Sequence, residues 1–223
     1  MTYNELVAAI ESYTQNYESD FVANIPTFVT QAETRIYNTV QIPALRKNVT
    51  GVTSNGNKYL SCPNDFLSVF SVAVIDGGNY EYLLNKDVNF MRASYPNPST
   101  TGLPKYYALF GPTVVSSAVT DELSFILAPT PDANYDVELH YYYYPESITT
   151  AADGRTWLGD NYNPVLLYGS LVEAYTFMKG EQDIMTFYEK KYQDALAQLN
   201  RLGTGLERGD AYRDGQAKIK VNP

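Results

Sequence analysis

Cysteine, histidine and tryptophan each occur once in the 223 residues, as Cys62, His140 and Trp157. One cysteine cannot close a disulfide within the chain, and it excludes a cysteine-rich zinc site. One histidine leaves any metal centre to carboxylates. His140 falls mid-strand on the more polar face and reads as an ordinary outward residue. Cys62 precedes Pro63 with no helix N-terminus or Cys-x-x-Cys pattern to lower its pKa, so it reads as a small buried hydrophobe. No stretch approaches the ~20 apolar residues of a membrane span. No basic region precedes an apolar run at the N-terminus, so no signal peptide is expected. Cations are also few: 16 Lys and Arg against 25 Asp and Glu give a net charge of −9, with pI near 4.6. Nonspecific nucleic-acid binding is therefore unfavourable over most of the surface.

Catalytic signatures are missing too. There is no Gly-x-Ser-x-Gly, no dinucleotide fingerprint and no clustered acid/base set, which argues only weakly against an enzyme because sites assemble in space. Gly51 to Lys58 nearly spells a phosphate-binding loop, but Asn57 separates Gly56 from Lys58 and Tyr59 follows, so we reject it. Arg208-Gly209-Asp210 and the glycosylation-like Asn48-Val49-Thr50 are short matches that arise by chance. Asp121, Glu122 and Asp132 fall in turns, where acidic residues are expected without any cation.

What is abundant is tyrosine, 21 residues, whose apolar body and polar tip suit half-buried strands and interfaces. The run Tyr141 to Tyr144 could stack on sugars or bases, cement a subunit interface or fill a sheet. A chain of this length can bury a core as one large domain or two small ones.

Periodicity places a helix over about Tyr3 to Tyr17, started by the capping box of Thr2 and Glu5. A linker that can hold a helical turn follows, then a second helix from about Pro26 to Thr39. From Lys47 to Pro145 the period becomes two. Ser54 to Gly56 and Asn57 read as a hairpin turn, Leu67 to Ile75 as a central strand buried on both faces, and Gly77-Gly78 as the turn into Tyr80 to Leu84. Asp87 caps a short helix, Val88 to Ser94. Strands at Lys105 to Phe110, Thr113 to Ala118, Leu123 to Leu127 and Tyr135 to Tyr144 complete about seven, a sandwich or small open barrel. In the last, Val137, Leu139 and Tyr141 share one face and Asp136, Glu138, His140 and Tyr142 the other.

The chain's organising stretch is Asn163 to Leu202, two helices in a row. Asn163 and Pro164 start the first and Gly180 ends it. The second begins near Glu181, carries Phe187, Tyr188, Leu199 and Leu202 on one side, and is closed by Gly203 and Gly205. Arg201 to Pro223 then holds five basic residues against three acidic ones, a net of +2 in a chain of −9. This tail has too few large apolar residues to order itself by burial. The fold expected is α+β. Residues 1–46 and 146–202 form a bundle of about four helices, 47–145 an inserted antiparallel β-sandwich or barrel-like module, and 203–223 an extended C-terminal tail.

Several short motifs carry a family resemblance: Tyr3-Asn4-Glu5-Leu6, Ile25-Pro26, Gln31-Ala32-Glu33 with Arg35-Ile36, Tyr59-Leu60 running into Pro63 to Leu67, Trp157-Leu158, and the Arg-bearing tail. With their order, the chain resembles the head-to-tail adaptor (head-completion or connector) proteins of short-tailed bacteriophages. The resemblance implies a virion structural protein made in the host cytoplasm, with no catalytic residue, no cofactor and no membrane contact. It implies a ring of about twelve copies between the portal protein and the tail nozzle and tail-fibre proteins, through which DNA passes on ejection without specific binding. Portal docking falls to Arg201, Leu202, Leu206, Arg208, Tyr212, Arg213, Lys218 and Lys220. Packing between neighbouring adaptor subunits falls to Tyr175, Phe187, Tyr188 and Leu199. The competing readings are a carbohydrate-binding β-sandwich module of a tail or surface protein, and an enzyme with an assembled carboxylate site.

Overall fold

In a computed structural model, which describes residues 1–206 apart from 98, 112, 116, 117 and 122, the chain divides into two compact units. One comprises Met1–Leu45 with Pro145–Pro223, the other Arg46–Tyr144.

In the helical unit, α1 spans Tyr3–Thr14 with both capping-box bonds present. It ends earlier than expected because Gln15 turns left-handed, at φ 52°. The chain then re-enters helix at once. α2 spans Ser19–Thr39, so the segment before Pro26 is helical and not a linker. Packing explains the difference. Phe21, Ile25, Phe28 and Val29 make one buried face, and the Phe21, Phe28 and Phe177 rings lie 5.2–6.3 Å apart. Pro26 removes the amide that would bond the Val22 carbonyl, and it lies on the exposed side of the helix.

α4 (Trp157–Asn161) was not foreseen. α5 spans Asn163–Phe177, and Tyr162, not Asn163, occupies its N-cap with no side-chain cap bond. At its end the left-handed residue is Lys179, at φ 53°, not Gly180. Gly180 is needed for space, since a Cβ there would lie 2.8 Å from the Tyr175 ring.

α6 spans Gln182–Leu206 and runs through both glycines expected to stop it. Gly203 is buried against Ile42, and a Cβ at 203 would overlap the Ile42 side chain. The glycine therefore serves close packing, and residues 203–206 belong to the helix rather than the tail. Gly203→Ala should destabilise the chain by about 1–3 kcal/mol through overpacking. Adding Ile42→Ala should return part of that loss, which a thermal-unfolding double-mutant cycle would read.

The β unit opens with β1 (Arg46–Val52) and β2 (Tyr59–Ser61), then β3 (Phe66–Asp76), β4 (Asn79–Tyr82) and β5 (Leu84–Asn85). α3 (Val88–Ser94) follows, capped by Asp87 as expected. β6 (Tyr106–Phe110), β7 (Thr113–Val115), β8 (Ala118–Asp121), β9 (Ser124–Ala128) and β10 (Asp136–Tyr143) complete it. Among the described residues the strands form one sheet ordered β1-β10-β3-β4, a second ordered β2-β9-β6-β5, and a two-stranded β7-β8 sheet. Neither four-stranded sheet closes on itself, so the described unit is no closed barrel. It is not wholly antiparallel either, because β5 pairs with β6 in parallel.

The hairpin expected at Ser54 to Asn57 is not one. β1 pairs with β10 and β2 with β9, so the turn carries the chain from one sheet to the other. Asn57 N–H donates to Ser54 O and Gly56 N–H to Pro131 O, which hold the crossover without strand pairing. Gly77-Gly78 does make the β3–β4 hairpin. Both sheets feed one apolar cluster that includes Val72, Val74, Tyr107, Phe125, Leu127, Val137, Leu139 and Tyr141. Within β3 only Val72–Val74 are buried. β9 is buried throughout, and its other face packs with Met91 of α3 through Ile126 and Ala128.

Candidate functional site

The surface features singled out in sequence converge on α5, α6 and the end of α6. Tyr175 and Tyr188 stack at 5.0 Å between centroids, and Phe187 meets Tyr188 edge-on at 5.3 Å. Burial first, and then the Tyr175 phenol, push the Tyr188 hydroxyl up to about 12. The Tyr175 hydroxyl donates to the Tyr13 carbonyl, tying α1 to the group. Phe187 is 53 % exposed with Lys191 Nζ 5.6 Å from its ring centre. Three of the four packing candidates thus form one patch. The fourth, Leu199, is 1 % exposed and fills the unit's own core, so it offers no surface.

Of the docking residues, Arg201, Leu202 and Leu206 lie exposed on the last turns of α6. Arg208, Tyr212, Arg213, Lys218 and Lys220 lie outside the described residues. Leu202 and Leu206 are 40 % and 54 % exposed, an apolar pair one turn apart on the end of the helix.

Two charged residues that sequence reasoning left without a role hold this unit together. Arg35 donates to Glu173 at 3.0 Å and to both Glu189 oxygens at 3.2 Å, with its guanidinium 4.6 Å from the Tyr192 ring centre. Glu33 is 3 % exposed and accepts the Ile148 amide at 2.9 Å. Burial pushes its carboxyl above the ordinary range, partly offset by that amide and by Ser147. The signal was there to read: Glu33 falls in the apolar stripe of Val29, Ala32 and Ile36.

Tyr141 and Tyr142 are buried, so the tyrosine run offers no continuous exposed platform. The Tyr141 hydroxyl donates to Asp65, and burial and that carboxylate push it up to about 12. Tyr142 lies under the Arg46 guanidinium. It is buried despite facing away from the core because the Arg46 guanidinium, which also donates to its hydroxyl at 2.6 Å, and the Phe70 ring pack against it. His140 sits 3.8 Å from Glu138 and 3.4 Å from Ser71 on an exposed sheet face. Among the described residues no three His, Cys, Asp or Glu side chains group to hold a metal, and no helix is long and apolar enough to cross a membrane.

Compared with known proteins, residues 1–217 match the family model described as SU10 adaptor protein. A search of curated proteins returns no match.

Proposed function

We propose, from the premise that this chain belongs to the SU10 adaptor protein family of phage head-tail adaptors, that it forms a ring between the portal and the tail nozzle and fibres. The match over residues 1–217 carries this reading. Membership implies a structural, non-enzymatic virion component that contacts head and tail parts; the ring, its count of about twelve and the named partners are our reading. In it the helical unit is a bundle-like wedge, the β unit an inserted sandwich-like domain, and the end of α6 with the segment that follows it the means of portal docking, through Arg201, Leu202, Leu206, Arg208, Tyr212, Arg213, Lys218 and Lys220. Neighbouring subunits pack through Tyr175, Phe187 and Tyr188.

Two physical features support this. An aromatic patch in which Phe187 is exposed over the half-buried Tyr175 and Tyr188 is the kind of surface that a second chain covers. A body of net negative charge, turned toward a channel, repels the phosphate backbone and lets DNA slide. Light scattering of the pure chain, alone and with isolated portal rings, tests the proposal. The expected result is a multimer on the portal. A chain that ignores the portal at micromolar concentration overturns it, and a channel ringed with basic residues overturns the sliding account.

A further inference from the structure

The outer strands of the two four-stranded sheets are unequal. β4, β2 and β5 have four, three and two residues, whereas β1 has seven. Short edges protect a sheet from adding foreign strands; long ones need charges, proline or a bulge. β1 has none of these from Asn48 to Val52, and its register against β10 is unbroken. Its two cations are engaged: Lys47 bridges Asp65 at 2.6 Å, and Arg46 lies between the Phe70 and Tyr142 rings.

The direction of the free amides follows from the ladder. Thr53 N–H donates to Tyr135 O, continuing the register in which Val52 faces Asp136. Amides of an antiparallel strand alternate sides, so those of 47, 49 and 51 turn toward β10 and those of 48, 50 and 52 turn outward. Residues 47–52 are all exposed. Val49 pairs with core residue Leu139 yet remains 38 % exposed, an apolar side chain on the core side with no strand beyond it among the described residues. Among the described residues no strand pairs with this edge.

We propose that the β1 edge is a strand-addition site for residues 216–222 of a second copy. This rests on the ring reading and assigns the end of the tail to a neighbour rather than to the portal. Residues Gln216 to Asn222 alternate without exception: Ala217, Ile219 and Val221 against Gln216, Lys218, Lys220 and Asn222. That period of two in β-branched residues is the pattern of a strand with one buried face. The segment's seven residues match the length of β1. Added to the edge, it lays Ile219 and Val221 beside Val49 and turns Lys218 and Lys220 to the opposite face, toward Glu138 and Asp136 on β10. Main-chain bonds supply affinity and alternate side chains supply register, as in other strand additions.

The test uses full-length chains carrying Cys62→Ser, one with Val49→Cys and one with Ile219→Cys, mixed and oxidised with and without portal rings. The expected result is a cross-linked heterodimer in at least tenfold excess over a Gln193→Cys control. Thr50→Pro removes an outward amide and spares the ladder to β10, so it should cut the yield about tenfold with unchanged melting. Should that variant unfold, Val221→Glu on the donor chain serves the same purpose. Yield at the control level in both conditions overturns the proposal. So does a cross-link that persists in both blocking variants, or one that forms only within a chain carrying both cysteines. Portal binding without this cross-link sinks strand addition alone; a cross-link in a chain that never binds portal sinks the portal reading and leaves strand addition standing.

Discussion

A chain with Arg201, Arg208, Arg213 and Lys218 all replaced by Ser is expected to stay folded and to lose portal binding at micromolar concentration. Arg201 is exposed on α6 and makes no ion pair among the described residues, so its removal costs the fold little. Exposed ion pairs contribute about 0.2–1 kcal/mol each. Four of them give about 1–4 kcal/mol, roughly a 4- to 900-fold weaker complex. Rising salt should weaken the wild-type complex and leave any residual binding of the variant nearly unchanged. Sedimentation with portal rings reads both effects, and full binding by the variant would refute the docking role of the tail. If strand addition is also correct, the three arginines carry the loss and Lys218→Ser alone leaves portal binding near wild type.

Glu33→Ala should cost about 2–3 kcal/mol, because it strands the buried Ile148 amide and leaves a void. Glu33→Gln keeps an acceptor for that amide and removes a buried charge, so at pH 7 it should be neutral or stabilising. The pH dependence has a definite sign. Burial raises the folded-state pKa of Glu33 above its ordinary 4.5. The stabilisation contributed by the protonated acid is then fully present below 4.5 and lost as pH rises through the folded value. The advantage of Glu33→Gln over wild type should therefore grow from pH 4 to pH 7. Urea unfolding at several pH values decides it, and an advantage that shrinks with rising pH would show the charge to be welcome where it lies.

Much of the helical unit was legible because local signals and burial agree there. The Thr2–Glu5 box and the α6 stripe needed no distant partner to be read. Pro26 was read as a helix start and Gly203 as a stop on local propensity, yet the Phe21–Phe28–Phe177 cluster and the Ile42 contact outweigh that propensity with burial. Gly205 continues the helix while exposed, with no such contact. Gly180 was given a positive φ that Lys179 in fact adopts, since only the Tyr175 ring shows which of the two needs the space.

In the β unit, the alternation of β10, the Gly77-Gly78 hairpin and the Asp87 cap follow from residues a few positions apart. The two-residue period shows that a strand exists but not which strand it joins, so the Ser54 turn passed for a hairpin. The sequence by itself determined the α+β class, the acidic body with its basic tail, the single Cys and His, and the family likeness, because each is a property of composition or short spacing. Only the tertiary structure decided that β1 joins β10 and has no second partner strand among the described residues, that Tyr141 and Tyr142 are buried, and that Glu33 and Arg35 each bind residues more than a hundred positions away. Those outcomes depend on which distant surfaces meet, and pairing energies between distant surfaces are not written in any local window.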